Sequence, residues 1–170
     1  MPLTRFPDHE DKRVFLCTTP AFNLPPAPVP ALDRVFIAVL WFDADGAAAR
    51  ELSQEFALSL IERGGLGIVL GGSGAEAAAA IFDEAAAETT HADKDDEAVG
   101  IWSEPDASLE ALVFLAAEEA MPPDAFADQP WDLVVWARSG DPVVPALRQL
   151  LNRVSAIVDE RYELGGEDLE

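Results

Sequence analysis

A glycine-rich turn is the first feature of the sequence whose residue types could carry chemistry. The turn Gly71-Gly72-Ser73-Gly74 follows a short apolar run and precedes an alanine-rich amphipathic helix, which Ser73 is expected to cap. Two of its glycines and Ala77 fit the pattern G-x-G-x-x-A, in which a dinucleotide pyrophosphate rests on the first turn of a helix. Glu76 stands where that phosphate would lie, and the turn follows the second predicted strand rather than the first. The sequence therefore favours a structural turn, with nucleotide binding as an alternative.

A pair of acids follows the longest apolar run of the chain. The segment Asp43-Ala44-Asp45-Gly46 resembles the first motif, D-x-D-G, of the haloacid dehalogenase superfamily. The resemblance implies Mg²⁺-dependent phosphoryl transfer, with Asp43 as the nucleophile, Asp45 as the general acid-base and carboxylates holding the metal. By position it also implies three supporting roles: Ser73 as the phosphate-binding hydroxyl, Lys94 as the charge-balancing lysine, and Glu104 or Asp141 as the distal metal ligand. Ala47 stands where the family has Thr or Val.

Other catalytic or metal-binding sets are weaker. The only histidines are His9 and His91, and no Cys/His spacing suits zinc. One polar loop carries four acids that could collect a weak divalent cation: Asp93, Asp95, Asp96 and Glu97. Their order lacks the Gly and the terminal Glu of a calcium loop, so a solvated loop is the better interpretation.

The charge of the chain is strongly acidic and unevenly distributed. The 170 residues include 32 acids and 11 bases, a net charge of −21. Between Arg63 and Arg138 the only base is Lys94, while 16 acids lie between Glu76 and Asp132. Such a surface repels phosphate backbones and anionic lipid, which argues against nucleic-acid and membrane partners. Three explanations stay open: solubility in a salty medium, binding of a basic protein, and cation binding.

The apolar pattern predicts the elements that position these residues. Four strands are expected, at Val35–Phe42, Leu66–Leu70, Ala98–Trp102 and Asp132–Ala137, each followed by a helix. The expected helices cover 47–63, the stretch up to Glu88, 108–121, and one long final helix capped by Asp141. Four such units predict a three-layer α/β fold with a mostly parallel four-stranded sheet, flavodoxin-like or Rossmann-like, in the order 2-1-3-4.

The rest of the chain predicts one domain with two appendages. Residues 1–33 are expected to form an extended, Pro-rich arm packed on the domain, polar and frayed over 1–12, with one extra edge strand at Arg13–Thr18. Residues 34–162 form the single α/β domain, and 163–170 are expected to be a disordered acidic tail. The sequence has no apolar run long enough to span a bilayer and no signal-like segment, which predicts a cytoplasmic protein.

Three functions follow, in order of preference. The first is a non-enzymatic binding module of the immunity, inhibitor or regulatory kind, with a basic protein partner and with Asp93, Asp95, Asp96 and Glu97 as partner-binding candidates. The second is the Mg²⁺-dependent enzyme built on Asp43 and Asp45, and the third is nucleotide binding at the glycine turn. As a whole the chain is similar to small bacterial α/β proteins of unassigned function, a likeness that implies no activity.

Overall fold

The fold is built around one sheet. The computed structural model describes residues 3–23, 32–42, 51–89 and 98–168, with side chains described as far as Leu164. The sheet has six strands: β1 (Leu3–His9), β2 (Lys12–Thr19), β3 (Phe36–Trp41), β4 (Gly65–Gly71), β5 (Gly100–Glu104) and β6 (Asp132–Arg138). Their order across the sheet is β1-β2-β6-β3-β4-β5, and every neighbouring pair is parallel except β1 with β2. The α/β class and the mostly parallel sheet are therefore confirmed.

Helices pack on both faces of this sheet. They are α1 (Gln54–Glu62), α2 (Ala75–Ala87), α3 (Leu109–Phe114), α4 (Val144–Leu151) and α5 (Val154–Asp168). Because side chains alternate along a strand, Ile68 and Leu70 of β4 pack in the same cluster as α1 and α2, whereas Val69 packs with α3, α4 and α5. The two clusters make a core on each face of the sheet.

The strand order explains why the helices divide in this way. The chain runs from β3 through β4 to β5 in one direction across the sheet, and α1 and α2 pack on the same face, as two crossovers of one hand require. It then turns back, and residues 105–131 cross β4 and β3 on the other face before β6 pairs beside β3. In the numbering of the predicted strands the observed order is 4-1-2-3, so the predicted order 2-1-3-4 is wrong. Local apolar patterns identify strands but do not fix which strands are neighbours.

The count of four strands is also wrong, because the N-terminal residues form a hairpin. β1 pairs antiparallel with β2, and the turn between His9 and Lys12 has Glu10 at a positive φ of 55°. Pairing with β6 makes β2 an interior strand rather than an edge strand. In β1 only two positions are buried, Phe6 and His9, so its apolar signal is too weak to predict a strand.

Three helical regions differ from their predicted form. In the helix expected over 47–63, Leu52 and Ser53 are not helical, and α1 begins at Gln54 with Ser53 as its N-cap. The helix expected over 108–121 is α-helical only to Phe114 and continues as a π-turn at Leu115–Glu119. The expected long final helix is broken at Asn152 and Arg153 into α4 and α5. α5 continues to Asp168, where the sequence predicted a tail from residue 163.

Candidate functional site

The carboxyl ends of the parallel strands form the edge where ligands bind in folds of this kind. The helices that follow β3 and β6 lie on opposite faces, so these neighbouring strands mark the switch point of the sheet. Arg138 ends β6 there, and its Nη1 donates to Glu51 Oε2 at 3.0 Å. About a third of the Arg138 side chain is exposed. The switch point is thus polar, but its one described guanidinium is already in an ion pair.

The glycine turn beside this edge has a structural reason for its composition. Gly72 has a φ of +84°, and a Cβ placed there would overlap the carbonyl oxygen of Phe42. The same carbonyl accepts a hydrogen bond from Gly74 N–H at 3.2 Å, and Phe42 N–H donates to Gly71 at 2.9 Å. The backbone of Phe42, just after β3, therefore packs so closely against the turn that position 72 requires glycine.

The start of α2 corrects one prediction about this turn. Gly74 is the N-cap residue, and no described side chain caps the helix, so Ser73 is not the cap. The Ser73 side chain is exposed, as is Glu76 in the first helical turn. Nucleotide binding at the turn stays a prediction, and an exposed carboxylate at this helix end opposes it.

Of the residues implied by the dehalogenase resemblance, three lie outside the described residues: Asp43, Asp45 and Lys94. Asp141 Oδ1 accepts a hydrogen bond from Val143 N–H at 2.9 Å, just before α4 begins at Val144. Val143 is the N-cap residue of α4 and no described side chain caps this helix, so the cap predicted at Asp141 is wrong. Glu104 is half-buried at the end of β5. Whether these acids share a pocket with Asp43 stays a prediction.

Four exposed acids lie on α2 and at its C-cap. Glu76, Glu84 and Glu88 recur at multiples of four residues and lie along one side of the helix, and we call them the acidic stripe. All three are exposed, Asp83 is exposed beside them, and none of the four forms an ion pair with a described residue. From Glu76 to Glu88 the stripe is about 18 Å long. The partner-binding candidates Asp93, Asp95, Asp96 and Glu97 lie outside the described residues.

A group of ion pairs lies at the amino ends of β2 and β6. Arg13 on β2 binds the buried Asp132 through Nε at 3.0 Å and Nη2 at 2.7 Å, and it binds Asp33 at 2.6 Å. Arg34 approaches the same Asp132 at 3.5 Å. The hydrogen bond with Asp132 raises the pKa of Arg13, and the hydrogen bond from Arg13 lowers the pKa of Asp33. These ion pairs stabilise the amino end of the sheet and leave the acids of α2 uncompensated.

A second polar site joins three distant parts of the chain, and we call it the His9 cluster: His9, Glu10, Glu118 and Ser155. The His9 residue is only 4% exposed, at the end of β1. Its Nδ1 lies 2.9 Å from Ser155 Oγ at the start of α5, and its Nε2 lies 3.0 Å from Glu118 Oε1 on the π-turn. Sequence reasoning missed this site because Glu118 and Ser155 are 109 and 146 residues away from His9. The π-turn, an arrangement frequent at functional sites, leaves no signal in the sequence.

Cys17 is the single cysteine of the chain. Its side chain is buried in the core, and burial raises the pKa of the thiol to about 11. A buried, protonated thiol is a poor nucleophile and a poor metal ligand. Cys17 is therefore a core residue.

Comparison with protein-family models, with curated proteins and with solved structures found no match. Over the ranges that the structure describes, every helix is too short or too polar to cross a membrane.

Proposed function

We propose that this chain is a non-enzymatic cytoplasmic binding module, three-layered in architecture, that uses an acidic surface to bind a basic protein partner. It acts in the manner of an immunity or inhibitor protein. The observation that carries the proposal is the acidic stripe, because three exposed carboxylates on one helix have no described cation to balance them.

The position of the stripe argues for binding over simple solubility. Glu84 lies in the last turn of α2, and Glu88 is its C-cap residue. A negative charge at the C-terminal end of a helix opposes the helix dipole, and Glu84 and Glu88 also repel each other at a spacing of four residues. Solubility needs no particular placement of charge, whereas this placement lowers the stability of the helix.

Acidic residues around α2 extend the negative electrostatic potential of the acidic stripe. α2 packs on the edge strand β5, and Asp106 after that strand is exposed. Acidic residues outnumber Lys94 by 16 to one between Glu76 and Asp132. A field of one sign over a surface raises the rate of encounter with a partner of the opposite sign. We therefore infer a partner with a Lys- and Arg-rich face that docks on α2 and the loop that follows it.

The proposal is tested by capture with matched variants. The chain is immobilised and exposed at low salt to a lysate of its native cells, and retained proteins are eluted with salt and identified. A variant with Glu76, Glu84 and Glu88 changed to Gln is compared with a variant of equal charge in which three exposed acids elsewhere are changed to Asn: Asp124, Asp128 and Asp159. We expect a basic protein that the first variant loses and the second retains. Equal loss from both would show that net charge alone is responsible.

The second candidate function is the Mg²⁺-dependent phosphoryl-transfer enzyme built on Asp43 and Asp45. It is favoured by one observation, that these acids follow β3 in the sequence and that the carboxyl end of β3 lies at the switch point of the sheet. We expect no hydrolysis of a generic phosphomonoester in the presence of Mg²⁺. Turnover that Asp43→Asn abolishes would replace the binding proposal with this one.

A further inference from the structure

We propose that the His9 cluster is a binding site for a zinc-class divalent cation, with His9, Glu10 and Glu118 as its ligands. One nitrogen and two carboxylates are a donor set that suits borderline transition ions better than Mg²⁺ or Ca²⁺, which prefer oxygen alone. Three protein ligands leave a fourth tetrahedral position for water.

The distances between the donor atoms fit one ion. One donor atom from each of the three side chains lies within 4.8 Å of the other two, and His9 Nε2 and Glu118 Oε1 are only 3.0 Å apart. Around a tetrahedral ion with bonds of about 2.1 Å, ligand atoms are separated by roughly 3.4 Å. The side chain of Glu10 is 63% exposed in the β1–β2 turn, so a side-chain rotation can close the remaining gap.

Ser155 supplies the outer contact that a histidine ligand needs. Its Oγ is 2.9 Å from His9 Nδ1, and a hydroxyl both donates and accepts. An ion at Nε2 requires the ring proton on Nδ1: an imidazolium releases its Nε2 proton to solvent, and a neutral ring moves its single proton from Nε2 to Nδ1 through solvent. Nδ1–H then donates to Ser155 Oγ. Such a contact fixes the tautomer and the orientation of the ring.

Lys12 is a described cation beside the cluster, and two of its three contacts do not involve the proposed ligands. Its Nζ donates to the Ala117 carbonyl at 2.7 Å and lies 4.6 Å from the centre of the Trp131 ring. The contact with Glu10 is longer, at 3.8 Å. Glu10 can therefore turn towards an ion while Lys12 keeps its other contacts. The net charge of −21 favours cation entry.

The test is calorimetric titration of ZnCl₂ into the full chain in a His91→Gln background, where His9 is the only imidazole. We expect one saturable site. Glu10→Gln should weaken binding at least about tenfold, and Ser155→Ala should weaken it about tenfold or more. The matched control is Asp11→Asn, which removes the same charge from the same exposed turn and should leave the affinity unchanged.

A second readout locates the ion. Nitrogen NMR of the imidazole should show that Zn²⁺ shifts Nε2 of His9, and urea unfolding should confirm that Glu10→Gln is as stable as Asp11→Asn without metal. The proposal is overturned if no saturable binding occurs, if both turn variants weaken it equally, or if Nε2 does not shift.

Discussion

Removing the two acids at the end of α2 is predicted to stabilise the protein. In the variant Glu84→Gln/Glu88→Gln, the repulsion at a spacing of four residues disappears, which is worth about 0.2–0.5 kcal/mol. Each charge also stops opposing the helix dipole, at about 0.3–1 kcal/mol for an exposed site. Gln and Glu have similar helix propensities, so propensity contributes little. The free energy of unfolding should rise by about 0.8–2.5 kcal/mol in total at low salt.

The assay is urea unfolding at two salt concentrations, with a control on the same helix. The gain should be largest at about 0.01 M salt and nearly vanish at about 1 M, where the Debye length is only about 3 Å. Glu76→Gln removes one charge from the N-terminal turn of α2, where the dipole favours an acid, so it should lower stability. A double variant that is less stable than the parent at low salt, or a gain that salt does not diminish, would refute the electrostatic cost assigned to the stripe.

Three further predictions concern the frame that holds these surfaces. Gly72→Ala should cost more than the strain of a positive φ alone, which is about 1–2 kcal/mol, because the new Cβ would overlap the backbone. Gly140→Ala, where φ is +81° and no described atom lies within 4 Å of the new Cβ, should cost only that strain. Equal losses in the two variants would contradict the backbone overlap at Gly72. Asp132→Ala should cost about 3–5 kcal/mol in urea unfolding, because a buried carboxylate shared by two arginines is lost. Asp33→Ala, at an exposed pair, should cost much less. Since the pKa of Cys17 is raised to about 11 from 9.0, its contribution to stability is complete below pH 9 and is lost as the pH rises through 11. Between about pH 8 and pH 10.5 the free energy of unfolding should therefore fall by about 2 kcal/mol more in the parent than in Cys17→Ala, and parallel curves would contradict the burial.

The strands that contain an apolar run were predictable from the sequence. The expected strands match β3, β4, β5 and β6 to within two residues or so at each end. A strand buried on both faces needs a continuous apolar run, and such a run is visible without knowledge of its neighbours. The buried apolar face of α2 was also predictable, because Ala78, Phe82 and Ala85 recur at helical spacing.

Features that depend on long-range pairing were not predictable. β1 has mostly polar residues, and it is a strand because β2 offers it a partner across a two-residue turn. β6 lies between β2 and β3, and no local pattern specifies those neighbours. The His9 cluster depends on both the hairpin and the π-turn, so the sequence alone could not predict that its residues are neighbours.

Binding of a basic partner through α2 is tested most directly by the association rate of the captured protein, once purified, measured against salt. The variant with Glu76, Glu84 and Glu88 changed to Gln should associate more slowly at low salt, with a dissociation rate little changed, because the charges act mainly on encounter. The equal-charge variant at Asp124, Asp128 and Asp159 should have an association rate close to that of the parent. The same slowing in both variants, or an association rate of the parent that does not fall with salt, would contradict an interface on α2.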